Sequence, residues 1–253
     1  MPSESAGVPP GVPDRSARRP VLAAVVVAAG HGRRFGGPHP KALAEVAGRP
    51  LVWHAVSTLS HAVPDGYLLA QVVVVGPAEH TGVLADLLVD APGDPVVLAG
   101  GPTRQASVSA GLRALDAAVE LVLVHDAARP FVTAEVVERL LAALARGDAG
   151  AVPGLGVHDT IKQVDAEGFV TATLERGALR AIQTPQAFLA PLLVSAHEQA
   201  ASRGVVDAVD DALLMESAGH RVRVVAGHED TFKITLPGDL ARAAAVASRR
   251  DRP

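Results

Sequence analysis

Two rhythms of apolar positions alternate along the chain. Short apolar runs occupy Val21–Ala29, Gln71–Val75, Pro95–Leu98, Leu121–His125 and Ala149–Pro153. Runs of this length with few polar interruptions predict strands buried on both faces. Between them, residues 51–59, 81–88, 104–115 and 133–145 carry helical patterns, and Thr133 stands where an N-cap is expected. The alternation predicts an α/β fold: a mostly parallel, Rossmann-like sheet with right-handed crossovers and helices on both faces, in three layers.

The rhythm breaks between residues 157 and 183. Thr160–Val164 and Phe169–Thr173 flank Asp165-Ala166-Glu167-Gly168, a pattern that predicts a protruding β-hairpin. The residues alone fit a surface loop as well as a dimerisation arm. Beyond the hairpin, 188–202 and 211–217 read as helices, 221–225 as a strand and 231–235 as an extended segment. Pro237 reads as the first-turn residue of a last helix, and Arg249–Arg252 as its frayed end. Residues 1–19, rich in Pro, Ser and Gly and without periodicity, read as a disordered tail, leaving 20–248 as a single domain.

Composition narrows the function classes. Of 253 residues, 49% are hydrophobic, enough for a substantial core. Aromatics make up 3%, which supplies few stacking platforms for single-stranded nucleic acid, and a net charge of −4 with no long basic run argues against a broad nucleic-acid surface. The absence of cysteine excludes a disulfide framework, a thiolate nucleophile and a Cys-based zinc site. Arg18 and Arg19 ahead of Val21–Ala29 have the look of a signal peptide, but the run is too short to span a membrane and leads straight into a Gly- and Arg-rich loop. The expected compartment is the cytoplasm, with no membrane partner.

That loop, Ala28-Ala29-Gly30-His31-Gly32-Arg33-Arg34-Phe35-Gly36, follows the first strand. In an open parallel sheet ligands gather at the carboxyl ends of strands, and small residues there let backbone approach a phosphate or a base edge. The loop lacks the Gly-x-x-x-x-Gly-Lys-Ser/Thr of a phosphate-loop NTPase. Its Phe35 breaks the Gly-x-Gly-x-x-Gly of a dinucleotide fingerprint, which disfavours a dehydrogenase. What it adds is basicity, from Arg33, Arg34 and then Lys41, suited to a triphosphate and a developing pentacovalent phosphorus. A solvent-facing basic turn is the plainer reading of the loop in isolation.

Four further constellations follow. Gly100-Gly101-Pro102-Thr103-Arg104-Gln105-Ala106-Ser107 forms a strand-to-helix turn, with Arg104 and Ser107 three apart on one helix face. His125-Asp126-Ala127-Ala128-Arg129-Pro130 puts a carboxylate at the end of an apolar strand, where it needs a cation or strong donors; Mg²⁺ shared with triphosphate oxygens would serve. Thr160 and Arg176 bracket the hairpin, and a hydroxyl with a guanidinium makes a good phosphate clamp. Lys233 lies in Asp230-Thr231-Phe232-Lys233-Ile234-Thr235, and the Asp210-Asp211 pair suits helix capping as well as a metal.

These five motifs, in this order, resemble the 2-C-methyl-D-erythritol 4-phosphate cytidylyltransferases of the non-mevalonate isoprenoid pathway over about residues 21–247. The resemblance implies the nucleotidyltransferase fold, a CTP-dependent reaction on a polyol phosphate, Mg²⁺, and a homodimer through the 157–183 arm. It implies that Arg34, Lys41 and Lys233 stabilise the triphosphate and transition state. Ala28, Ala29, Gly30, Gly32, Gly101, Ser107 and Asp126 would contact CTP, with Asp126 also at the metal. Arg104 would support the pocket, while Arg129, Thr160 and Arg176 would hold the acceptor phosphate. Three positions depart from the family pattern, Val27, Ala42 and Thr231; none removes a charged group. A ribitol 5-phosphate cytidylyltransferase and a catalytically silent nucleotide-binding protein on the same fold are the alternatives.

Overall fold

The computed structural model describes residues 18–30, 35 and 40–250. The expected tail, except for Arg18 and Arg19, and Gly32, Arg33 and Arg34 of the first loop lie outside the described residues.

The chain forms β1 (Val21–Val27), β2 (Glu45–Val46), β3 (Arg49–Pro50), α1 (Leu51–His61), β4 (Leu68–Gly76), α2 (Thr81–Leu87), β5 (Val96–Ala99), α3 (Arg104–Arg113), β6 (Leu121–Asp126), α4 (Ala134–Ala145) and β7 (Gly150–Gly156). There follow β8 (Lys162–Val164), β9 (Val170–Thr173), β10 (Arg180–Ile182), β11 (Gln186–Leu189), α5 (Ala190–Ser202), α6 (Asp211–Ser217), β12 (Val222–Ala226) and α7 (Asp239–Arg250). Among the described residues the main sheet has eight strands. β5, β4, β1 and β6 are parallel neighbours, β11 lies antiparallel between β6 and β7, β12 runs parallel to β7, and β10 runs antiparallel to β7. β10 and β11 share one edge of β7, since Gly154 pairs with both Ile182 and Ala226 while Ala151 pairs with both Ala187 and Arg223.

The near-continuous apolar character of β1 follows from its central place. With a side-chain period of two, Leu22, Ala24 and Val26 join the core under α1 and α4, while Ala23 and Val25 join the core under α3 and α5. β4 and β6 divide in the same way, which makes the three layers. Gly111 lets α3 lie close to the sheet, because a Cβ there would come within 2.5 Å of Val25 Cγ1. A third cluster packs α7 through Val246 and Ala247 against Phe131 and Ile234, and so fixes the segment that carries Lys233.

Several boundaries differ from the sequence expectation. Phe188 and Leu189 belong to strand β11, not to the following helix, which begins at Ala190 with Pro191 in its first turn. A four-residue apolar strand abutting a helix has no period of its own, so the two merge in the sequence. Residues 231–235 form no strand: Glu229–Thr231 is a 3-10 turn, and the segment is held by the Ile234 N–H donating to the Ala128 carbonyl at 2.8 Å. The last helix starts at Asp239, because the Asp239 carboxylate accepts from the N–H groups of Thr235 (2.7 Å) and Leu236 (2.8 Å), leaving Pro237 in the turn. Arg249 and Arg250 are helical and anchored, Arg249 on Asp230 and Arg250 on the Val132 carbonyl. Thr133 flanks α4 at the N-cap, without a side-chain cap bond.

The hairpin β8–β9 pairs apart from the main sheet. Gly168, at φ 90°, closes its turn in the left-handed region, and the Asp165 carboxylate accepts from the Phe169 N–H at 2.8 Å.

Candidate active site

The strand order reverses between β1 and β6: from β1 the chain builds outward through β4 to β5, then returns to add β6 on the other side. The loops after such neighbouring strands diverge and leave a crevice. Here a cleft of about 400 Å³ opens at the carboxyl ends of β1, β5 and β6. Ala28, Ala29, Gly30, Lys41, Gly101, Ser107, Asp126 and Lys233, all expected from the sequence, line it, and Arg104 joins them.

The backbone of the cleft is fixed from within. The Ala28 N–H donates to the Val75 carbonyl at 2.7 Å, and the Gly101 N–H donates to Ser107 Oγ at 3.2 Å. Ser107 in turn donates to the Thr103 carbonyl at 2.9 Å, and the Thr103 hydroxyl caps α3 by accepting from the Ala106 N–H at 3.1 Å. Gly100 has no room for a side chain: a Cβ would lie 2.7 Å from Ser107 Oγ and 2.9 Å from the Ala29 methyl. The three departures from the family pattern sit quietly: Val27 and Ala42 line the cleft wall, and Thr231, fully buried, donates to the Phe131 carbonyl at 3.2 Å.

Asp126 is the centre of charge. Its Oδ1 accepts from Arg104 Nε at 3.2 Å and its Oδ2 from Lys233 Nζ at 2.7 Å. Burial alone would raise its carboxyl, but Arg104 and Lys233 outweigh burial and hold it far below the ordinary carboxylate range. Arg104 also reaches Asp211, Nη1 to Oδ2 at 2.7 Å, and Asp211 Oδ1 lies 3.0 Å from His197 Nε2. Burial opposes the Arg104 charge, yet Asp211 and Asp126 raise its pKa; burial likewise opposes ionised Asp211, and Arg104 and His197 keep it low. Lys41 donates to the Ile234 carbonyl at 2.7 Å, tying the first loop to the Lys233 segment.

Behind Asp126, the Thr184 hydroxyl accepts from the Asp126 N–H at 3.0 Å and lies 3.0 Å from His125 Nδ1. His125 Nε2 lies 2.9 Å from the Arg129 carbonyl, which can only accept, so Nε2 carries the proton and Nδ1 accepts from Thr184. Complete burial pushes the His125 pKa down to about 4 and keeps the ring neutral. The Thr184–Pro185 peptide bond is cis.

The remaining expected residues lie elsewhere. Arg129 donates to the carbonyls of Thr231 (2.9 Å) and Ile182 (3.3 Å), and burial lowers its pKa. Thr160 and Arg176 come together on an open hollow of about 360 Å³ beside Thr173 and Glu175, with Arg176 donating to the His158 carbonyl at 2.7 Å. Asp210 is the α6 cap, accepting from the Leu213 N–H at 3.0 Å, and Gln186 donates to it at 3.0 Å. His197 and Asp211 as an Arg104 partner escape sequence reasoning, whereas Thr184 belongs to Gln183-Thr184-Pro185-Gln186, a stretch of the family pattern expected to shape the pocket. The available signal was the doubled Asp210-Asp211, since one residue suffices for a cap and the second needs another partner.

Among the described residues no three His, Cys, Asp or Glu side chains gather into a metal cage. One carboxylate beside a cationic cleft instead suits Mg²⁺ carried largely by phosphate oxygens and water.

Comparison with known proteins places these features. The family model described as IspD: 2-C-methyl-D-erythritol 4-phosphate cytidylyltransferase matches residues 22–249. The 2-C-methyl-D-erythritol 4-phosphate cytidylyltransferase of Streptomyces avermitilis is 44% identical over 240 residues, covering 90% of this chain and 92% of that protein. The crystal structure of 4-diphosphocytidyl-2C-methyl-D-erythritol synthase from Anaerococcus prevotii superposes with a TM-score of 0.77 at 29% identity, over 92% of this chain and 100% of the other. That of 2-C-methyl-D-erythritol 4-phosphate cytidylyltransferase from Thermus thermophilus gives 0.71 at 37% identity, over 88% and 98%.

Proposed function

The chain belongs to the 2-C-methyl-D-erythritol 4-phosphate cytidylyltransferase family, and from that premise we propose how its own residues divide the reaction. The enzyme transfers CMP from CTP to 2-C-methyl-D-erythritol 4-phosphate, giving 4-diphosphocytidyl-2-C-methyl-D-erythritol and pyrophosphate. The observation that carries the assignment of residues is the convergence of Lys41, Arg104 and Lys233 on the cleft around Asp126.

An oxygen of the acceptor phosphate attacks the α-phosphorus of CTP in line, the bond to the bridging oxygen breaks, and pyrophosphate leaves. The acceptor monoester is already anionic near neutral pH, so the chain's task is positioning and charge stabilisation. Lys41 and Lys233, with Arg34 from the first loop, hold the triphosphate and meet the charge that develops at the α-phosphorus. Gly101, Ser107 and the Ala28–Gly30 backbone, with Gly32 beyond it, shape the cytidine end. Asp126 keeps Lys233 and Arg104 in place and offers a carboxylate to Mg²⁺ entering with CTP. Bound there, the metal supplies neutralisation of the phosphate charge.

Thr160 and Arg176 take the acceptor phosphate. We assign Arg129, whose Nη atoms are held by the Thr231 and Ile182 carbonyls, to the same phosphate. The hollow formed by Thr160 and Arg176 lies on the hairpin side of the molecule, and Phe169 and Val170 on that hairpin are 72% and 59% exposed. Such apolar exposure supports a homodimer formed through the 157–183 arm. No described helix is long and apolar enough to cross a membrane.

Pyrophosphate release from CTP and Mg²⁺ tests the reading, with methylerythritol phosphate, ribitol 5-phosphate or no acceptor. Release confined to methylerythritol phosphate supports it. Release confined to ribitol 5-phosphate would move the acceptor, and CTP binding without release in any arm would leave only a nucleotide-binding module.

A further inference from the structure

The chain of charged contacts that begins at Lys233 and Asp126 does not end at the cleft. It continues through Arg104 to Asp211 and on to His197 on α5. The His197 and Asp211 side chains are 4% and 1% exposed, and neither lines the cleft.

The arrangement leaves Arg104 a single orientation. A guanidinium is a planar fork of five N–H groups. Here Nε is held by Asp126 and Nη1 by Asp211, which together fix the plane. Among the described residues Nη2 is buried and has no partner, so the guanidinium is held through Nε and Nη1 while Arg104 lines the cleft. Asp211 is held in turn at both oxygens, Oδ2 by Arg104 and Oδ1 by His197. Without the imidazole, Asp211 would keep one restraint and could rotate about its side-chain torsion.

His197 also leaves Nδ1 buried without a partner among the described residues. An apolar side chain would fill the space between α5 and α6 without that penalty, so packing does not account for the imidazole. Its Nε2 contact with Asp211 does.

We propose that His197 and Asp211 are positioning residues for cytidylyl transfer, which together hold the Arg104 guanidinium in the cleft wall, where its positive charge acts on bound CTP. The inference rests on the reading of the cleft as the CTP site. It assigns the pair to the nucleotide and leaves the acceptor untouched.

The test combines steady-state kinetics in each substrate with calorimetric titration of CTP and Mg²⁺ into the full chain. His197→Ala is expected to raise KM and Kd for CTP on the order of tenfold, with KM for methylerythritol phosphate within about twofold of the parent. His197→Gln, whose amide N–H occupies the place of Nε2, is expected to restore most of the loss. Equal defects in the Ala and Gln variants, or an equal rise in both KM values, would overturn the proposal, since loosened packing would do the same. Should His197→Ala not fold, Asp211→Asn keeps the shape and removes the charge; unchanged CTP affinity there would also overturn it. Lys41→Ala separates the two layers. Weaker CTP binding in Lys41→Ala alone would defeat the positioning role only, whereas unchanged binding in His197→Ala, Asp211→Asn and Lys41→Ala would defeat the assignment of the cleft itself.

Discussion

Lys233 Nζ lies 2.7 Å from Asp126 Oδ2 across 107 residues of chain. Nothing local brings them together. Asp126 is delivered by the end of β6, while Lys233 is delivered by a segment pinned between the Ala128 carbonyl and the α7 cluster. The pair is therefore a product of the tertiary fold, and it is where fold stability and chemistry meet.

Asp126→Asn removes the counter-charge of both Arg104 and Lys233. Breaking a fully buried pair costs roughly 3–5 kcal/mol. Since Lys233 is 39% exposed, the loss expected here is smaller, on the order of 2–3 kcal/mol, read from urea unfolding. Turnover is expected to fall by about two orders of magnitude or more. Asp126 and Asp211 both have carboxyls held below their ordinary range. The unfolded chain therefore takes up more protons in acid, so their stabilisation is complete above about pH 4 and declines as pH falls further. Parent-like stability of Asp126→Asn at pH 7 would contradict this.

His125 gives a second pH signature, in a different window. Its pKa falls from 6.5 to about 4 in the folded protein. Between those values the unfolded state binds a proton that the folded state refuses. Stability is thus full above about pH 6.5 and declines toward pH 4, by on the order of 3 kcal/mol from this group. His125→Gln keeps a donor for the Arg129 carbonyl and removes the titration, so the slope between pH 7 and pH 5 should flatten. An unchanged slope would show that the ring is not the source.

Gly100→Ala tests the tightness of the cytidine end. The added Cβ would stand 2.7 Å from Ser107 Oγ, 2.9 Å from the Ala29 Cβ and 3.1 Å from Val75 Cγ1. Overpacking of this kind costs roughly 1–3 kcal/mol. Because Ser107 also holds the Gly101 N–H, KM for CTP is expected to rise well beyond that for the acceptor, as kinetics in each substrate would read.

The hairpin prediction concerns assembly. Phe169→Asp with Val170→Asp removes exposed apolar surface of the hairpin without touching the main sheet. In sedimentation velocity the parent should run as a dimer and the double variant as a monomer of low activity. A monomeric parent, or a dimeric double variant, would contradict the arm.

How much of this was legible beforehand varies with the kind of constraint. Strands β1, β4 and β6 were readable because burial on both faces forces long apolar runs, and α6 because Asp210 caps its start and Gly219, at φ 86°, follows its end. β10 and β11 were not: β11 runs directly into α5 with no turn residue between them, and β10 lies inside 157–183, where the pattern follows the hairpin. Within the cleft, Lys41, Asp126 and Ser107 were readable as motif members. The orientation of Arg104 was not: it depends on Asp211 and His197, which reach it only once α5 and α6 pack against α3. The same holds for the Ile182 and Thr231 carbonyls to which Arg129 donates, which no local motif announces.

The most direct test of the central claim, that the cations gathered around Asp126 perform the transfer, is single-turnover formation of labelled 4-diphosphocytidyl-2-C-methyl-D-erythritol at saturating CTP and Mg²⁺. Parent, Lys41→Ala and Lys233→Ala would be compared. Each variant is expected to slow bond formation by about a hundredfold or more, the scale of losing one transition-state donor, even with the site filled. Wild-type rates in both variants at saturation would contradict the claim and place the chemistry elsewhere in the molecule.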